Sequence, residues 1–193
     1  MSRGLLIVIS GPSGVGKDTI VKRLLEIDPK LRYSVSYTTR PMRDYEVDGE
    51  HYSFVSEPEF AELVRQGEFL EHAKYSGHRY GTSAARVEKA RSEGHDILLK
   101  IDVQGAEQVR RKMPDGVFVF IEPPSMEELL RRRKERGSES AEVMEARQRA
   151  AELEMGFAEK YDYIVVNDEL ERAVREVEAI IDRERAARGA AAS

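Results

Sequence analysis

The amino-acid sequence predicts a single α/β domain built on a parallel, doubly wound sheet. Two observations support this prediction: short, continuously apolar runs recur along the chain, and helical patterns separate them. A run without polar alternation is typical of a strand that is buried on both faces of a parallel sheet. The length of 193 residues suits one domain with a sizeable core and a small inserted lobe.

The first apolar run, 5–9, leads into a Gly/Ser-rich segment and then into a helix that ends near Asp28-Pro29. Further strands are predicted at 97–101, 117–121 and 163–166, and helices at about 104–112, 125–136, 141–158 and 168–187. These elements place the core of the domain in residues 4–33, 85–130 and 160–185.

Residues 34–84 form a polar and aromatic stretch that we interpret as a lobe inserted into the same domain. Strand-like pieces at 52–55 and 69–73 surround one predicted helix. Ser56 and Glu59 have the spacing of a capping box at the start of that helix, and Gly67 suits its end.

A lid is predicted at about 131–159, and a frayed tail at 186–193. Ser125 and Glu128 form a second capping box, so the helix that carries an arginine cluster is expected to start there. The segment 137–140 interrupts two arginine-bearing helices and suits the tip of a mobile lid. The tail consists mostly of small residues and is expected to be poorly ordered.

The bulk composition restricts the partners and the location. A net charge of -5 argues against broad nucleic-acid binding, whereas local arginine clusters suit small phosphorylated ligands. The sequence contains no cysteine, which excludes disulfides and thiolate metal sites. With neither a signal peptide nor a bilayer-length apolar run, we expect a cytoplasmic protein that does not bind membranes.

The most specific local motif follows the first strand and reads Gly11-Pro12-Ser13-Gly14-Val15-Gly16-Lys17. It satisfies the phosphate-loop pattern G-x-x-x-x-G-K in the required position between a strand and a helix. Backbone N–H groups of such a loop bind phosphate oxygens, and the lysine bridges the β- and γ-phosphates of ATP. The alternative is a Gly-rich turn without a ligand.

The loop departs from its pattern at Asp18, where Ser or Thr usually binds Mg²⁺, and Thr19 comes next. A carboxylate is also a good ligand for a hard cation. Alternatively, Asp18 is only a favourable acidic residue in the first turn of a helix. Both interpretations remain open from the residues alone.

Several further motifs are distributed along the chain: 34–43 (SVSYTTRPMR), 48–54 (DGEHYSF), 69–73 (FLEHA), 77–82 (GHRYGT), 101–106 (IDVQGA) and Asn167-Asp168. With the phosphate loop, they resemble the motifs of the guanylate kinase family over nearly the whole chain. The resemblance implies a P-loop nucleoside monophosphate kinase fold and transfer of the γ-phosphoryl group of ATP to GMP, with Mg²⁺ accompanying ATP. Together these motifs are more specific than the phosphate loop alone.

The resemblance also implies the roles of particular side chains. The phosphate of GMP would be bound by Arg40, Arg43, Tyr52 and Tyr80, and its base by Glu71, Ser36 and Thr82, with Asp102 near both base and metal. Adenine lacks the N1 proton of guanine and would leave the Glu71 carboxylate unpaired, which is costly in a desolvated site. Taken singly, the tyrosines would be packing residues, Glu71 a solvated strand residue, and the arginines surface charges.

The lid residues Arg132, Arg136 and Arg147 are expected to approach the transferring phosphoryl group, and Asn167 the adenine of ATP. A solvated basic helix is the alternative, and we expect it to hold for Arg131 and Arg133. Members of the family usually have an acid two residues before Asp102, where this chain has Lys100. We therefore hypothesise that Lys100 offsets the charge of Asp18, which helps to hold Mg²⁺.

Two other functions remain as alternatives. Non-catalytic guanylate-kinase-like modules share the fold, although they lack an intact phosphate loop. A kinase of a ribosyl bisphosphate would keep phosphoryl transfer and change the acceptor, and the set of Glu71, Ser36 and Thr82 argues for guanine instead. The expected partners are ATP and GMP or dGMP, and the chain is expected to be a monomer or a homodimer.

Overall fold

The computed structural model describes residues 3–75, 77–134 and 141–191. Its strands are β1 (Leu6–Ser10), β2 (Leu31–Tyr33), β3 (Tyr37–Thr38), β4 (Ser53–Phe54), β5 (Phe69–Tyr75), β6 (His78–Ser83), β7 (Asp96–Lys100), β8 (Val117–Glu122) and β9 (Tyr163–Val166). Its helices are α1 (Lys17–Ile27), α2 (Glu57–Arg65), α3 (Ala84–Ser92), α4 (Val103–Lys112), α5 (Met126–Lys134), α6 (Ala141–Met155) and α7 (Leu170–Ala191), with a 3₁₀ turn at Ala158–Lys160.

The main sheet has the strand order β2-β7-β1-β8-β9, and its neighbouring strands are parallel. This confirms the predicted parallel, doubly wound α/β fold. The first strand, β1, lies between β7 and β8, so the strand order reverses beside it. In open α/β sheets, ligands bind at the carboxyl ends of the strands at such a switch point.

Alternate residues of the buried strands pack on opposite faces of the main sheet. On one face, Ile7 and Ile9 pack in a cluster with side chains of α1 and α7. On the other face, Leu6 and Val8 pack with side chains of α3 and α4. Because both faces are covered, these strands are apolar throughout, as the sequence predicted.

A second, smaller sheet lies within residues 34–84 and has the strand order β4-β3-β6-β5. Its longest pairing is antiparallel, between β5 and β6. The capping box at the start of α2 is confirmed, because Ser56 and Glu59 exchange both hydrogen bonds. Gly67 follows the helix with φ of +73°, a conformation that favours glycine.

Some elements of the described chain were not predicted from the sequence, among them β2, β3, β6 and α3. The strand β2 has only three residues, and the middle one is an arginine, so no apolar run marks it. The helix α3 buries only Val87 and Arg91, so it lacks the apolar stripe that identifies most surface helices.

Residues 186–191, in the tail that was expected to fray, continue the last helix to Ala191. Alanine is the strongest helix former, and Arg188 donates a hydrogen bond to the carbonyl of Asp115. Residues 192 and 193 lie outside the described chain. None of the described helices is both long and apolar enough to cross a membrane.

Candidate active site

The phosphate loop connects β1 to α1, as the motif predicted. Gly11 and Gly16 have φ angles of 140° and 103°, which residues with a side chain rarely adopt. A Cβ at Gly11 would lie 2.3 Å from the carbonyl oxygen of Ile121, and one at Gly16 would lie 2.4 Å from Nδ2 of Asn167. These glycines therefore allow the loop to turn tightly against the neighbouring chain while its N–H groups stay available to an anion.

Lys17 lies against the backbone of its own loop. Its Nζ donates to the carbonyl oxygens of Gly11 at 2.5 Å and Pro12 at 3.0 Å. Burial lowers the pKa of Lys17 to about 8, although the nearby carboxylates Glu154 and Asp18 oppose this change. An ammonium that is hydrogen-bonded here to neutral carbonyl oxygens is well placed to attract a phosphate.

The unusual Asp18 forms an ion pair with Lys100, the last residue of β7. The carboxylate of Asp18 is 77% exposed, whereas the side chain of Lys100 is only 25% exposed. The two departures from the family pattern that the sequence revealed are therefore in direct contact, although 82 positions separate them.

Glu71 is a buried carboxylate on β5, only 4% exposed. Its Oε1 accepts a hydrogen bond of 2.6 Å from the hydroxyl of Thr82 on β6. Burial raises the pKa of Glu71 to about 7; the bond from Thr82 and the charge of Lys112 oppose this rise. The carboxylate is therefore held in one orientation, and its protonation changes near neutral pH.

Glycine at position 105 makes room for Glu71 beneath the first turn of α4. A Cβ there would lie 2.8 Å from Oε2 of Glu71 and 3.5 Å from Oδ1 of Asp102. Asp102 is the N-cap of this helix, accepting a 2.8 Å hydrogen bond from the N–H of Gly105. The segment from Lys100 to Gly105, which we call the β7–α4 junction, thus touches both Asp18 and Glu71.

We expect Gly105→Ala to displace the Glu71 carboxylate and to raise the KM for a nucleotide bound by Glu71 about tenfold, because an extra methyl group in a packed site costs about 1–3 kcal/mol. The KM for ATP should change less than about twofold, because the phosphate loop is not in contact with the new methyl group. Steady-state kinetics with each substrate varied separately would measure both constants.

Gly189→Ala is the matched control for Gly105→Ala, since a Cβ at Gly189 meets nothing within 4 Å. Equal effects on both substrates would contradict a specific contact with Glu71. A fall in the melting temperature as large for the control as for Gly105→Ala would indicate a general effect on stability.

A cleft of about 650 Å³ joins the phosphate loop to Glu71. Tyr52 and Tyr80 lie side by side in its wall, with ring centroids 6.0 Å apart in an edge-to-face arrangement. Of the residues predicted from the sequence, those in the lining are Gly11, Ser13, Gly14, Gly16, Lys17, Asp18, Ser36, Tyr52, Glu71, Tyr80 and Asp102. Two sites predicted separately therefore open into one cleft.

The guanidinium groups of Arg40 and Arg43 lie outside the lining of this cleft. Arg40 forms a two-pronged ion pair with Glu46, at 2.6 and 3.0 Å, and its Cζ lies 5.5 Å from the ring centroid of Tyr52. The hydrogen bond from Arg40 is the main cause that lowers the pKa of Glu46 to about 2. Arg43 donates from its side chain to the hydroxyl of Tyr45 at 2.7 Å.

Thr82 differs from its expected position. Its side chain is fully buried, and its hydroxyl donates a hydrogen bond to Glu71 rather than pointing into the cleft. In this structure Thr82 thus orients the carboxylate, and its hydroxyl proton is not available to a base.

Comparison with known proteins identifies the family. The family model described as "Guanylate kinase" matches residues 3–184. The chain belongs to the guanylate kinase family. It is 51% identical to a guanylate kinase of Caldanaerobacter subterraneus over 95% of this chain and 89% of that protein. The guanylate kinase of Lactococcus lactis is 50% identical, over 94% and 89% of the two chains.

A solved guanylate kinase structure, from Anaplasma phagocytophilum, supports the same assignment. Its TM-score is 0.78 at 36% sequence identity, and the match covers 95% of this chain and 87% of that one. The resemblance noted from the motifs is therefore confirmed at the level of family and fold.

The lid arginines of this guanylate kinase family member are only partly described. Arg132 donates to Glu128 at 2.8 Å and to the carbonyl oxygen of Asn167 at 3.0 Å. Arg136, the side chain of Arg147 and the predicted lid tip at 137–140 lie outside the described part of the chain. The cap at the start of α5 is present, with a 3.1 Å bond from the N–H of Glu128 to the hydroxyl of Ser125.

Asn167 is 6% exposed, and its Nδ2 donates to the carbonyl oxygen of Val15 at 2.8 Å. It therefore supports the phosphate loop of this guanylate kinase family member from behind. Because Arg132 binds the carbonyl of Asn167, the lid helix α5 is connected to the loop through two successive hydrogen bonds.

Glu154, on α6, is a cleft residue that the sequence did not indicate. Its Oε2 accepts a hydrogen bond of 3.3 Å from the backbone N–H of Ser13 in the phosphate loop. A phosphate-binding loop offers such N–H groups to phosphate oxygens. The carboxylate therefore occupies a position that a phosphate oxygen would take.

We expect Glu154→Gln to tighten ATP binding about threefold to tenfold, because it removes a competing negative charge that solvent partly screens. Isothermal titration with Mg·ATP would measure the change. Glu152→Gln, an exposed neighbour on the same helix, is the control. Unchanged or weaker binding in Glu154→Gln would contradict competition for the loop.

Other residues that sequence reasoning missed gave no local signal. Glu46 is an acid in a charged loop, and only its contact with Arg40 distinguishes it. The cleft also includes Tyr33, Lys74, Leu153 and Phe157. These residues reach the cleft through contacts between distant parts of the chain, and a local sequence pattern carries no information about such contacts.

Proposed function

We propose that this chain transfers the γ-phosphoryl group of ATP to GMP, and to dGMP, giving ADP and the corresponding diphosphate, in purine nucleotide metabolism. The observation that carries the proposal is a buried, oriented carboxylate, Glu71, in the same cleft as the phosphate-loop lysine, Lys17. The proposal includes a cytoplasmic location and a monomer or homodimer without nucleic-acid or membrane partners.

The donor nucleotide is assigned to the phosphate loop, residues 11–19. Lys17 leaves the carbonyls of Gly11 and Pro12 and binds the β- and γ-phosphates, and the loop N–H groups surround them. Asn167 keeps the loop in shape through its bond to Val15. This role differs from the contact with adenine that the resemblance implied.

The acceptor is assigned to the second sheet. Ionised Glu71 accepts from the N1–H and the exocyclic amine of guanine, with Thr82 orienting it. Ser36 and Asp102 complete the surroundings of the base, and Tyr52 and Tyr80 donate to the phosphate. Adenine lacks the N1–H donor and would leave the buried carboxylate of Glu71 unpaired.

Arg40 and Arg43 provide the permanent charge for the phosphate of GMP. Arg40 lies against Tyr52 and is oriented by buried Glu46. Its planar guanidinium retains donors for a second anion, since Glu46 occupies one edge. Arg43 exchanges its contact with Tyr45 for the phosphate.

The reaction itself needs positioning and cations rather than covalent chemistry. The phosphate oxygen of GMP attacks the γ-phosphorus in line, and the electron pair of the broken bond remains on the β-phosphate of ADP. The lid arginines Arg132, Arg136 and Arg147 are proposed to approach the charge on the transferring group. Their approach also excludes water, which would otherwise hydrolyse ATP.

Mg²⁺ is proposed to accompany ATP, with Asp18 as the protein ligand. The exposed carboxylate of Asp18 lies beside the phosphate loop and lines the cleft, which fits a hard cation shared with phosphate oxygens. When bound, the ion neutralises charge on the β- and γ-phosphates.

A double-mutant cycle tests the coupling of Asp18 to Lys100. We expect Asp18→Ser and Lys100→Asp each to lower turnover of Mg·ATP, and their effects to be non-additive by more than about 0.5 kcal/mol, because the two side chains are in contact. Smaller coupling would mean that the two positions act independently.

The function is tested by a coupled assay of ADP release with GMP, dGMP, AMP, UMP and CMP. We expect GMP and dGMP, and none of the other three nucleotides, to stimulate ADP release strongly. Stimulation by none would refute the enzyme, and strong turnover of AMP would refute the role of Glu71. A non-catalytic module or a ribosyl bisphosphate kinase is less well supported, because an intact loop faces a guanine-type carboxylate.

A further inference from the structure

Lys100 is a second lysine in the central cleft, and the site described so far uses it only as a counter-charge. Lys100 is the last residue of β7 and is in register with Ile9 of β1. The strand β1 leads directly into the phosphate loop. Its side chain lines the cleft and is 25% exposed. The ammonium is thus presented to the cleft by the rigid centre of the main sheet.

The neighbours of Lys100 belong to both halves of the site. Asp18 of the phosphate loop is the ion-pair partner of Lys100. The positive charge of Lys100 contributes to lowering the pKa of Lys17. Tyr33 and Tyr52 line the same cleft as Lys100. Lys100 therefore shares the cleft with residues assigned to ATP and with Tyr52, which is assigned to the phosphate of GMP.

We propose that Lys100 is a catalytic residue that contacts the phosphoryl group in transfer, after Asp18 exchanges it for the metal ion that arrives with ATP. This inference rests on the proposed function. The bond between the γ-phosphorus and the bridging oxygen breaks, the bond to the GMP oxygen forms, and Lys100 stays protonated throughout. Its positive charge stabilises the negative charge on the three equatorial oxygens of the transferring group.

A role as a mere neutraliser of Asp18 explains the structure less well. The Asp18 carboxylate is 77% exposed, so water already stabilises its charge. The ammonium of Lys100 is the more buried partner, and burial of an ammonium is unfavourable unless an anion compensates it. Once Asp18 binds a cation, the anions left within reach of the flexible lysine are the substrate phosphates.

Metal-free nucleotide binding tests the position of Lys100 without turnover. In EDTA, Asp18→Asn should release Lys100 and tighten ATP about tenfold, whereas ADP, which lacks the γ-phosphate, should change less than about threefold. The gain for ATP should vanish in Asp18→Asn/Lys100→Gln. If the gain persists in the double variant, it comes only from removal of the Asp18 charge, and the proposal is overturned.

Steady-state kinetics supply the second arm. Lys100→Gln should lower kcat about 10²-fold and change the KM of ATP and of GMP less than about threefold, as expected for a contact that strengthens in the transition state. Lys100→Arg should recover kcat to within about tenfold of the parent, because it retains the charge. Lys89→Gln, an exposed lysine on α3, should match the parent.

A kcat for Lys100→Gln within about threefold of the parent would overturn the proposal. A second pattern would also overturn it: kcat falls equally in Lys100→Gln and Lys100→Arg, and the melting temperature falls in both variants. That pattern indicates a structural role. If the parent shows no GMP-dependent ADP release, the proposed function fails, while the ATP-to-ADP comparison in EDTA still reports where Lys100 lies.

Discussion

Lys17→Ala is expected to lower kcat for transfer from ATP to GMP about 10³-fold, the largest effect of any single substitution considered for this site. The ammonium is held beside the loop by the carbonyl oxygens of Gly11 and Pro12, so its removal leaves no positive charge there for the phosphates. A coupled ADP-release assay at saturating substrates would measure kcat. Lys22→Ala, an exposed lysine on the same helix, is the control.

The pH dependence provides a second check on Lys17. Its pKa is lowered to about 8 by burial, so the charged form predominates below pH 8 and is lost above it. The value of kcat/KM for ATP, which reports the free enzyme, should therefore be level below this pH and fall above it. A loss of less than tenfold in Lys17→Ala, or no fall of kcat/KM above pH 8, would contradict the assigned role.

Glu71→Gln is expected to lower kcat/KM for GMP about 10²-fold and to leave the KM of ATP within about twofold. The amide would direct N–H donors toward the N–H groups of guanine, whereas the carboxylate offers only acceptors. Separate titrations of GMP and ATP would measure both constants. The matched control is Glu68→Gln, an exposed acid three residues earlier.

Protonation of Glu71 gives this prediction a pH signature. Burial raises its pKa to about 7, and guanine needs the ionised form, so kcat/KM for GMP should fall as the pH drops through 7. In Glu71→Gln the only acid limb left should be that of the GMP phosphate, near pH 6. An unchanged profile in the variant would refute the contact between Glu71 and the base.

The part of the fold that the sequence predicted is the part set by local patterns. The apolar run 5–9, the glycine spacing of the loop and the capping box of Ser56 and Glu59 each depend on residues close in the chain, and each is present. The strand β2 and the helix α3 have no such pattern, because contacts with distant elements stabilise them.

The same division holds within the site. Motifs identified Glu71, Tyr52 and Lys17, which the cleft brings together. The bond from Thr82 to Glu71 and the reach of Glu154 to Ser13 depend on how distant side chains orient in three dimensions. The sequence marked Asp18 and Lys100 as paired departures, and the structure adds that they touch.

The β7–α4 junction has a consequence for how the two nucleotides affect each other. At one end Lys100 contacts the phosphate loop, and five residues later Gly105 supports the carboxylate assigned to guanine. Ordering of this short segment by either ligand removes conformational freedom that the other would otherwise have to remove. We therefore expect each nucleotide to bind more tightly when the other is present, and by the same factor in both directions, since such linkage is reciprocal.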